Sequence, residues 1–551
     1  MNEDTAPRAA WPDLIGLVAA TAVGLVVAAR GFPLALFAAF TDLLVRGPMG
    51  PGVYAAALLA VAIAVPALLP RLPGWPVGAA GLAVFLVVDL TAADAMMKGL
   101  MPIEVGTTRE IAIALAAAAG LGLALGGVLL ALAQAPPVAR WWVGAGLSAG
   151  LVLHPVGSEL FRAVLPRRAE HPSSASAGQR GIVNGIDVEV WLALGLVLVA
   201  AVVAYVRRSG HGVAAPARFR PGAIVAVIAA AALLLLGLAL RRRAIREFRL
   251  DSDEMAGREA TIESFAQVSA VVLAVVVALL LTAYAYRLGR APAARWVVLG
   301  TAAAPVATFG FPDGGPSSGT RTTLVLLCGI LAVAGGVLAG RHAARMLPWD
   351  AIGVVVTAAA TPWSWPEVRA DLPSAATVGP VLIAVGLGLA FGSGIGLVTA
   401  SADGAPAVSV GDPRRRGAGV PPPIGPAGTV NGPLEGDSAA GDAPAAADVP
   451  AAAPAVALAG EPTGGRTRHG AGDLAGVLVL GPAALILCAS ALAPVVLGSQ
   501  VGGLMEEDPS LTLPLFTTVG AVLLALLFGV ARAVDRPRPD SRAEATTSQM
   551  A

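Results

Sequence analysis

Ionisable groups set in apolar sequence are where this chain can do chemistry. Such groups are costly in hydrocarbon and are kept where they face a partner, a cavity or a path. Asp89 is the clearest case. It stands in the run VFLVVDLTAADAM (84–96), with Asp94 five residues on. A carboxylate at that depth must be paired, hydrated or protonated, which suits proton or cation coupling. A second reading stays open, in which the helix ends near Asp89 and the carboxylate is interfacial. The next group lies in GAGLSAGLVLHPVGSELFR (144–162), which carries His154, Glu159 and Arg162. Glu159 and Arg162 are three apart and can pair on one helix face. Imidazole is the side chain that changes charge near neutral pH, and Pro155 leaves a backbone carbonyl free beside His154. The plainer alternative is a polar helix end with one hydrogen-bonded histidine.

Soluble-enzyme signatures are absent. There is no GxxxxGK[ST] and no HExxH, no nucleophile elbow is visible, and the five histidines are scattered, so the expectation is a non-enzyme without cofactor or metal. Cys328 and Cys488 both fall in apolar stretches without a CxxC and read as small buried hydrophobes.

The elements that must position these groups are transmembrane helices. The chain has 551 residues, 56% of them hydrophobic and 13% charged, with a mean hydropathy of +0.76. A soluble domain carries about 25% charged residues. The net charge of +1 gives no signal for nucleic acid. Apolar stretches long enough for a bilayer core, which needs ~20 residues per helix, predict fourteen spans near 12–30, 52–70, 76–97, 109–134, 141–161, 189–206, 221–240, 264–286, 293–310, 321–340, 349–363, 378–400, 473–498 and 511–533. The short run 31–47 reads as an interfacial or re-entrant piece. The N-terminus lacks a basic region and a cleavage site, so the first stretch reads as a retained span.

Arginines gather in alternate gaps. Arg207, Arg208, Arg218 and Arg220 follow the sixth span; Arg287, Arg290 and Arg295 the eighth; Arg341 and Arg345 the tenth; Arg414, Arg415 and Arg416 the twelfth; Arg532, Arg536, Arg538 and Arg542 the last. Basic loops prefer the cytoplasm, so both termini are expected there, in the inner (plasma) membrane. An arginine-rich composition with abundant Ala, Gly and Val points to a bacterial source. Two gaps break the alternation: 162–188 and 241–263 hold several arginines on the side assigned outside.

The predicted organisation is all-α, with two pseudo-symmetric helical bundles. Residues 1–206 form a six-helix N-terminal bundle. Residues 207–290 form two linking helices with a charged segment at 241–263, read as a helical extension of the seventh or eighth span, with a surface amphipathic helix as the alternative. Residues 291–401 begin the C-terminal bundle and 471–533 complete it. The Ala/Pro/Gly/Asp-rich stretch 402–470 lacks bulky apolar content and reads as a disordered cytoplasmic linker, and 534–551 as a disordered tail.

The order of features resembles the major facilitator superfamily, in its fourteen-span drug:proton antiporter branch. Gly120 and Gly122 match glycines after the family's fourth-span motif, and Pro136, Pro137 and Arg140 resemble its cytoplasmic turn. Gly150, Pro155 and Gly157 resemble the antiporter motif. GGVLAGRHAARMLPWDAIG (335–353) resembles the second-half loop motif, with Gly336, Arg341 and Arg345 at matching places. The first-half loop 69–75 lacks the expected Asp, and the fourth-span arginine falls on alanine within Ala116–Ala119. The resemblance implies a proton-coupled efflux transporter for a small amphipathic or envelope-related molecule. Asp89 leads as coupling residue, followed by His154 and Glu159. The missing coupling residues favour an alternative, a non-transporting scaffold of cell-envelope assembly that docks a protein partner through 402–470. A lipid-linked sugar transferase would need an acidic pair in the first outer gap, where only Asp42 stands.

Overall fold

The computed structural model describes residues 11–31, 50–97, 108–164, 188–208, 221–250, 259–287, 291–309, 319–342, 347–364, 368, 371, 372, 374–402, 474–502 and 512–534. Among these stand fourteen α-helices: α1 (Trp11–Gly31), α2 (Gly50–Leu68), α3 (Gly74–Met97), α4 (Thr108–Gln134), α5 (Pro137–Val164), α6 (Val188–Arg208), α7 (Pro221–Leu250), α8 (Glu259–Arg287), α9 (Ala291–Phe309), α10 (Gly319–His342), α11 (Trp349–Ala360), α12 (Ala375–Ala402), α13 (Leu474–Gly502) and α14 (Thr512–Val534). A helix satisfies its own backbone, which is what hydrocarbon demands. Among the described residues nine helices are long and apolar enough to cross a membrane, and Gly52–Leu68 and Gly520–Gly529 are shorter apolar segments. The chain is a multi-pass membrane protein. The charged run after residue 240 continues α7 as far as Leu250. The run 31–47, expected to be interfacial or re-entrant, lies outside the described residues apart from Gly31, as does the stretch 403–470.

The helices repeat their packing. In the first half α1 lies on α5 and α6, while α3 lies on α4 and α6 and α2 lies on α4. In the second half α9 lies on α13 and α14, while α11 lies on α12 and α14 and α10 lies on α12. Each pairing among α1–α6 thus returns eight helices later. The halves meet in the same paired way, α5 on α10 and α12, and α13 on α2 and α4. Helices α7 and α8 pack on each other and reach α2 and α13.

Small residues make this approach possible, since helices in lipid associate by close packing. Helix α4 carries two glycine faces. A Cβ on Gly120 would lie 2.7 Å from Phe85 N of α3, and one on Gly126 would lie 2.7 Å from Ala62 O of α2. In the second half α12 plays the same part. Gly392 meets Val333 and Val337 of α10, and Gly386 meets Gly353 and Thr357 of α11. Trp296 fixes the second half from inside. It is buried, donates Nε1 to Leu478 O of α13 at 3.2 Å, and sets its ring edge-on to Phe391 of α12.

Two turns at one end of the first half are tied together. Gln134 closes α4; its Nε2 donates to Leu72 O at 2.7 Å and Pro70 O at 3.2 Å, and its Oε1 accepts from Gly74 N at 3.3 Å. Arg140, one turn into α5, donates Nη2 to Ala135 O at 3.1 Å.

Candidate functional site

Asp89 sits in α3, which runs on to Met97. The helix therefore does not end at this carboxylate, although the apolar window closes just beyond it, at Thr91. Asp89 is half-buried. Nearby is Tyr54 of α2, 3% exposed, whose hydroxyl donates to Arg30 O at 3.5 Å and which lies within electrostatic reach of both Arg30 and Asp89. Three helices thus bring a guanidinium, a phenol and a carboxylate to one end of the first half. Position in sequence separates these residues widely, so only the tertiary fold gathers them. The side chain of Asp94 lies outside the described residues.

His154 is buried in α5 and its Nδ1 bonds Leu151 O at 3.2 Å. Its neighbour Leu153 fills the space above Gly329 of α10, so His154 lies beside the seam between the halves. Helix α5 passes through Pro155, Gly157, Glu159 and Arg162 to Val164; the side chains of these residues lie outside the described ones. The structure therefore brings His154 to the seam and Asp89 to a different cluster. Among the other sequence-identified positions, Gly122 packs on Leu58 and Val61 of α2, Gly150 on Thr21, Gly24 and Leu25 of α1, and Gly336 on Leu389, Gly392 and Ser393 of α12. Arg341 is exposed at the end of α10, and Arg345 lies outside the described residues.

The strongest electrostatic feature was not singled out by sequence. Asp350, in the first turn of α11, is 1% exposed. Arg295 of α9 donates Nε to Asp350 Oδ2 at 2.7 Å and its Nη2 reaches the same oxygen. Arg532 of α14 approaches Oδ1 at 3.4 Å, and Ala351 N donates to Oδ1 at 2.9 Å. The carboxylate also faces the positive end of α11. In the first half the corresponding ends, the start of α1 and the end of α6, are joined by Asp13 and Arg207 at 2.9 Å, in a far more exposed pair. Arginine counting treats Arg207, Arg295 and Arg532 as markers of sidedness. The available clue was Asp350 itself, an acid opening a span directly after a basic gap. These bonds also settle parity. The end of α6 lies on the side where α1 begins, and the end of α14 on the side where α9 begins. Helix α5 therefore ends on the opposite side.

A small apolar cavity of about 30 Å³ lies among α8, α9, α13 and α14, lined by Val271, Thr301, Pro305, Cys488 and Leu524. That is room for about one water-sized molecule. Cys328 and Cys488 are both free thiols. Among the described residues no group of three or more His, Cys, Asp or Glu could hold a metal.

No family model and no curated protein matches the chain. Solved structures align along nearly its whole length. The xylose transporter XylE from E. coli, in a partially occluded inward-open conformation, is 11% identical with a TM-score of 0.42, covering 94% of this chain and 96% of that one. The human organic anion transporter MFSD10 (TETRAN) is 13% identical with a TM-score of 0.42, covering 96% and 100%. An auto-inhibited peptide transporter of the POT family is 13% identical with a TM-score of 0.38, covering 96% and 97%.

Proposed function

We propose that this chain is a secondary transporter of the major facilitator type. Its two six-helix halves rock about a shared seam to move a small amphipathic or envelope-related molecule outward, with both termini cytoplasmic. One observation carries this reading: the repeated packing of α1–α6 in α9–α14, with halves that meet through exchanged contacts of α5 and α13. A seam whose two sides are built alike can open toward either face with similar contacts, which is the basis of alternating access between parallel repeats.

Asp89 is the proton-coupling residue in this reading, with Tyr54 and Arg30 modulating its charge, and His154 beside the seam is the second titratable group. The first half lacks the usual fourth-span arginine, so coupling rests on α3. The ion pairs at the helix ends have another task. Asp13–Arg207 and Arg295–Asp350–Arg532 each tie the first helix of a half to its last, so that each half moves as one body.

The test needs no known substrate. Spin labels on Val138→Cys and Ser401→Cys, at the exposed ends of α5 and α12, should report two distance populations in proteoliposomes. Cys328 and Cys488 are first replaced by alanine. A single narrow distance under every pH and potential would refute alternating access and favour the scaffold. With ethidium as probe in everted vesicles under an imposed proton gradient, Asp89→Asn should abolish the gradient's effect. Unchanged coupling would remove Asp89 from the mechanism.

A further inference from the structure

Helix α7 is 30 residues long, about 45 Å at 1.5 Å per residue, against a hydrocarbon core of about 30 Å. Its apolar part, from Gly222 to Leu240, accounts for roughly 28 Å of this length. Arg241, Arg242 and Arg243 therefore stand where the hydrocarbon ends and the lipid headgroups begin. The apolar part shows a stripe away from the protein: Val225, Ile228, Leu236 and Leu240 are each more than half exposed. Arg243 continues that stripe one turn beyond Leu240. It is exposed and donates Nε to Glu247 Oε1 at 2.8 Å. On the opposite face Leu234 and Leu238 are buried against Gly52 of α2, and Arg241 continues that face. Its Nε is buried without a hydrogen-bond partner. Arg242 lies between the two faces, half-buried. Glu247 is the one acid among the described residues of this helix end, and Arg243 already uses it.

We propose that the collar Arg241–Arg243 binds the phosphate of an anionic phospholipid headgroup, whose acyl chains lie along the Val225–Leu240 stripe. Three cations against one acid leave the collar positive. Arginine matches phosphate through several donors at once. The apolar stripe is continuous with the collar, so a ligand carrying both a phosphate and acyl chains fits it better than a soluble anion. Lipid binding also explains why so many arginines stand in a gap that the alternation of basic loops assigns to the other side. They are held by headgroups as well as by topology.

Native mass spectrometry of the full chain, exchanged with equimolar phosphatidylglycerol and phosphatidylcholine, should retain the anionic lipid with an enrichment on the order of fivefold per arginine that reaches a headgroup. In the R241Q/R242Q/R243Q variant that enrichment should fall toward parity. Equal retention of both lipids by the wild type would overturn the proposal, as would an unchanged preference in the variant. Displacement of phosphatidylglycerol by millimolar inorganic phosphate would mean a soluble-anion site and would overturn it too. Should the triple variant not fold, photoactivatable phosphatidylglycerol on the wild type replaces it. Cross-links should concentrate in 225–243 and exceed those of the matching phosphatidylcholine probe, and equal yields would refute lipid specificity.

Discussion

Replacing Asp350 by alanine removes the centre of a three-residue charge cluster and leaves Arg295 behind. The Arg295 side chain is 10% exposed and that of Asp350 1%. Breaking a buried pair by deleting one partner costs ~3–5 kcal/mol, because the surviving charge stays desolvated. Arg532 is 28% exposed and reaches water, so the loss is dominated by Arg295. Native proteins hold ~5–15 kcal/mol in all, so Asp350→Ala should remove a large share. The Asp13–Arg207 pair is the internal control. Its arginine is 44% exposed, and exposed pairs contribute ~0–1 kcal/mol, so Asp13→Ala should change little. Denaturant titration in mixed micelles, followed by tryptophan fluorescence, measures both variants. Of the nine tryptophans that contribute to the signal, Trp296 and Trp349 directly adjoin Arg295 and Asp350 in sequence. A charge-removing double variant, Asp350→Leu with Arg295→Met, should recover most of the loss, because replacing a buried pair by apolar groups is often neutral. If Asp350→Ala costs no more than Asp13→Ala, or if the double variant is worse than the single, the cluster is not a buried ionic clamp.

Four other outcomes follow from the packing. Gly150→Ala should destabilise by ~1–3 kcal/mol through overpacking, since its Cβ would lie 2.7 Å from Leu25 N. Gly195→Ala, with nothing within 4 Å, should be neutral or stabilising by up to ~1 kcal/mol through helix propensity; comparing the two melting temperatures checks this. Gln134→Leu deletes three bonds to the 70–74 turn and should cost ~1–3 kcal/mol, with faster amide exchange of Gly74. Gly392→Leu should separate α10 from α12, because any side chain there meets the Val333 carbonyl; loss of monodisperse protein in detergent is the readout, and normal behaviour would contradict the close contact.

The fold was legible in the sequence because bilayer physics writes length and apolarity directly into the chain. Each of the fourteen helices overlaps an expected span, down to the short eleventh one, Trp349–Ala360 with its 3-10 turn to Ser364. The stretch around Arg241–Leu250 was legible as a helical extension for the same reason, since nothing in it breaks a helix. The site was less so. Asp89 and His154 could be picked out as ionisable groups in apolar sequence, but not assigned neighbours. Sequence spacing pairs residues three or four apart, whereas Arg30, Tyr54 and Asp89 come from three helices. Likewise Arg295, Asp350 and Arg532 are spread over more than 230 residues of sequence.

The sequence by itself determined that this is a multi-pass helical membrane protein and where its helices lie, because hydrophobic length is a one-dimensional property. Only the tertiary structure decided which charges meet, that the first six helices pack as the last six do, and that an arginine counted as a sign of sidedness closes on a buried aspartate. Those are properties of close approach between helices distant in the chain. Glycines at particular turns of α4, α5 and α12 permit that approach, and composition alone does not specify which helix each glycine will face.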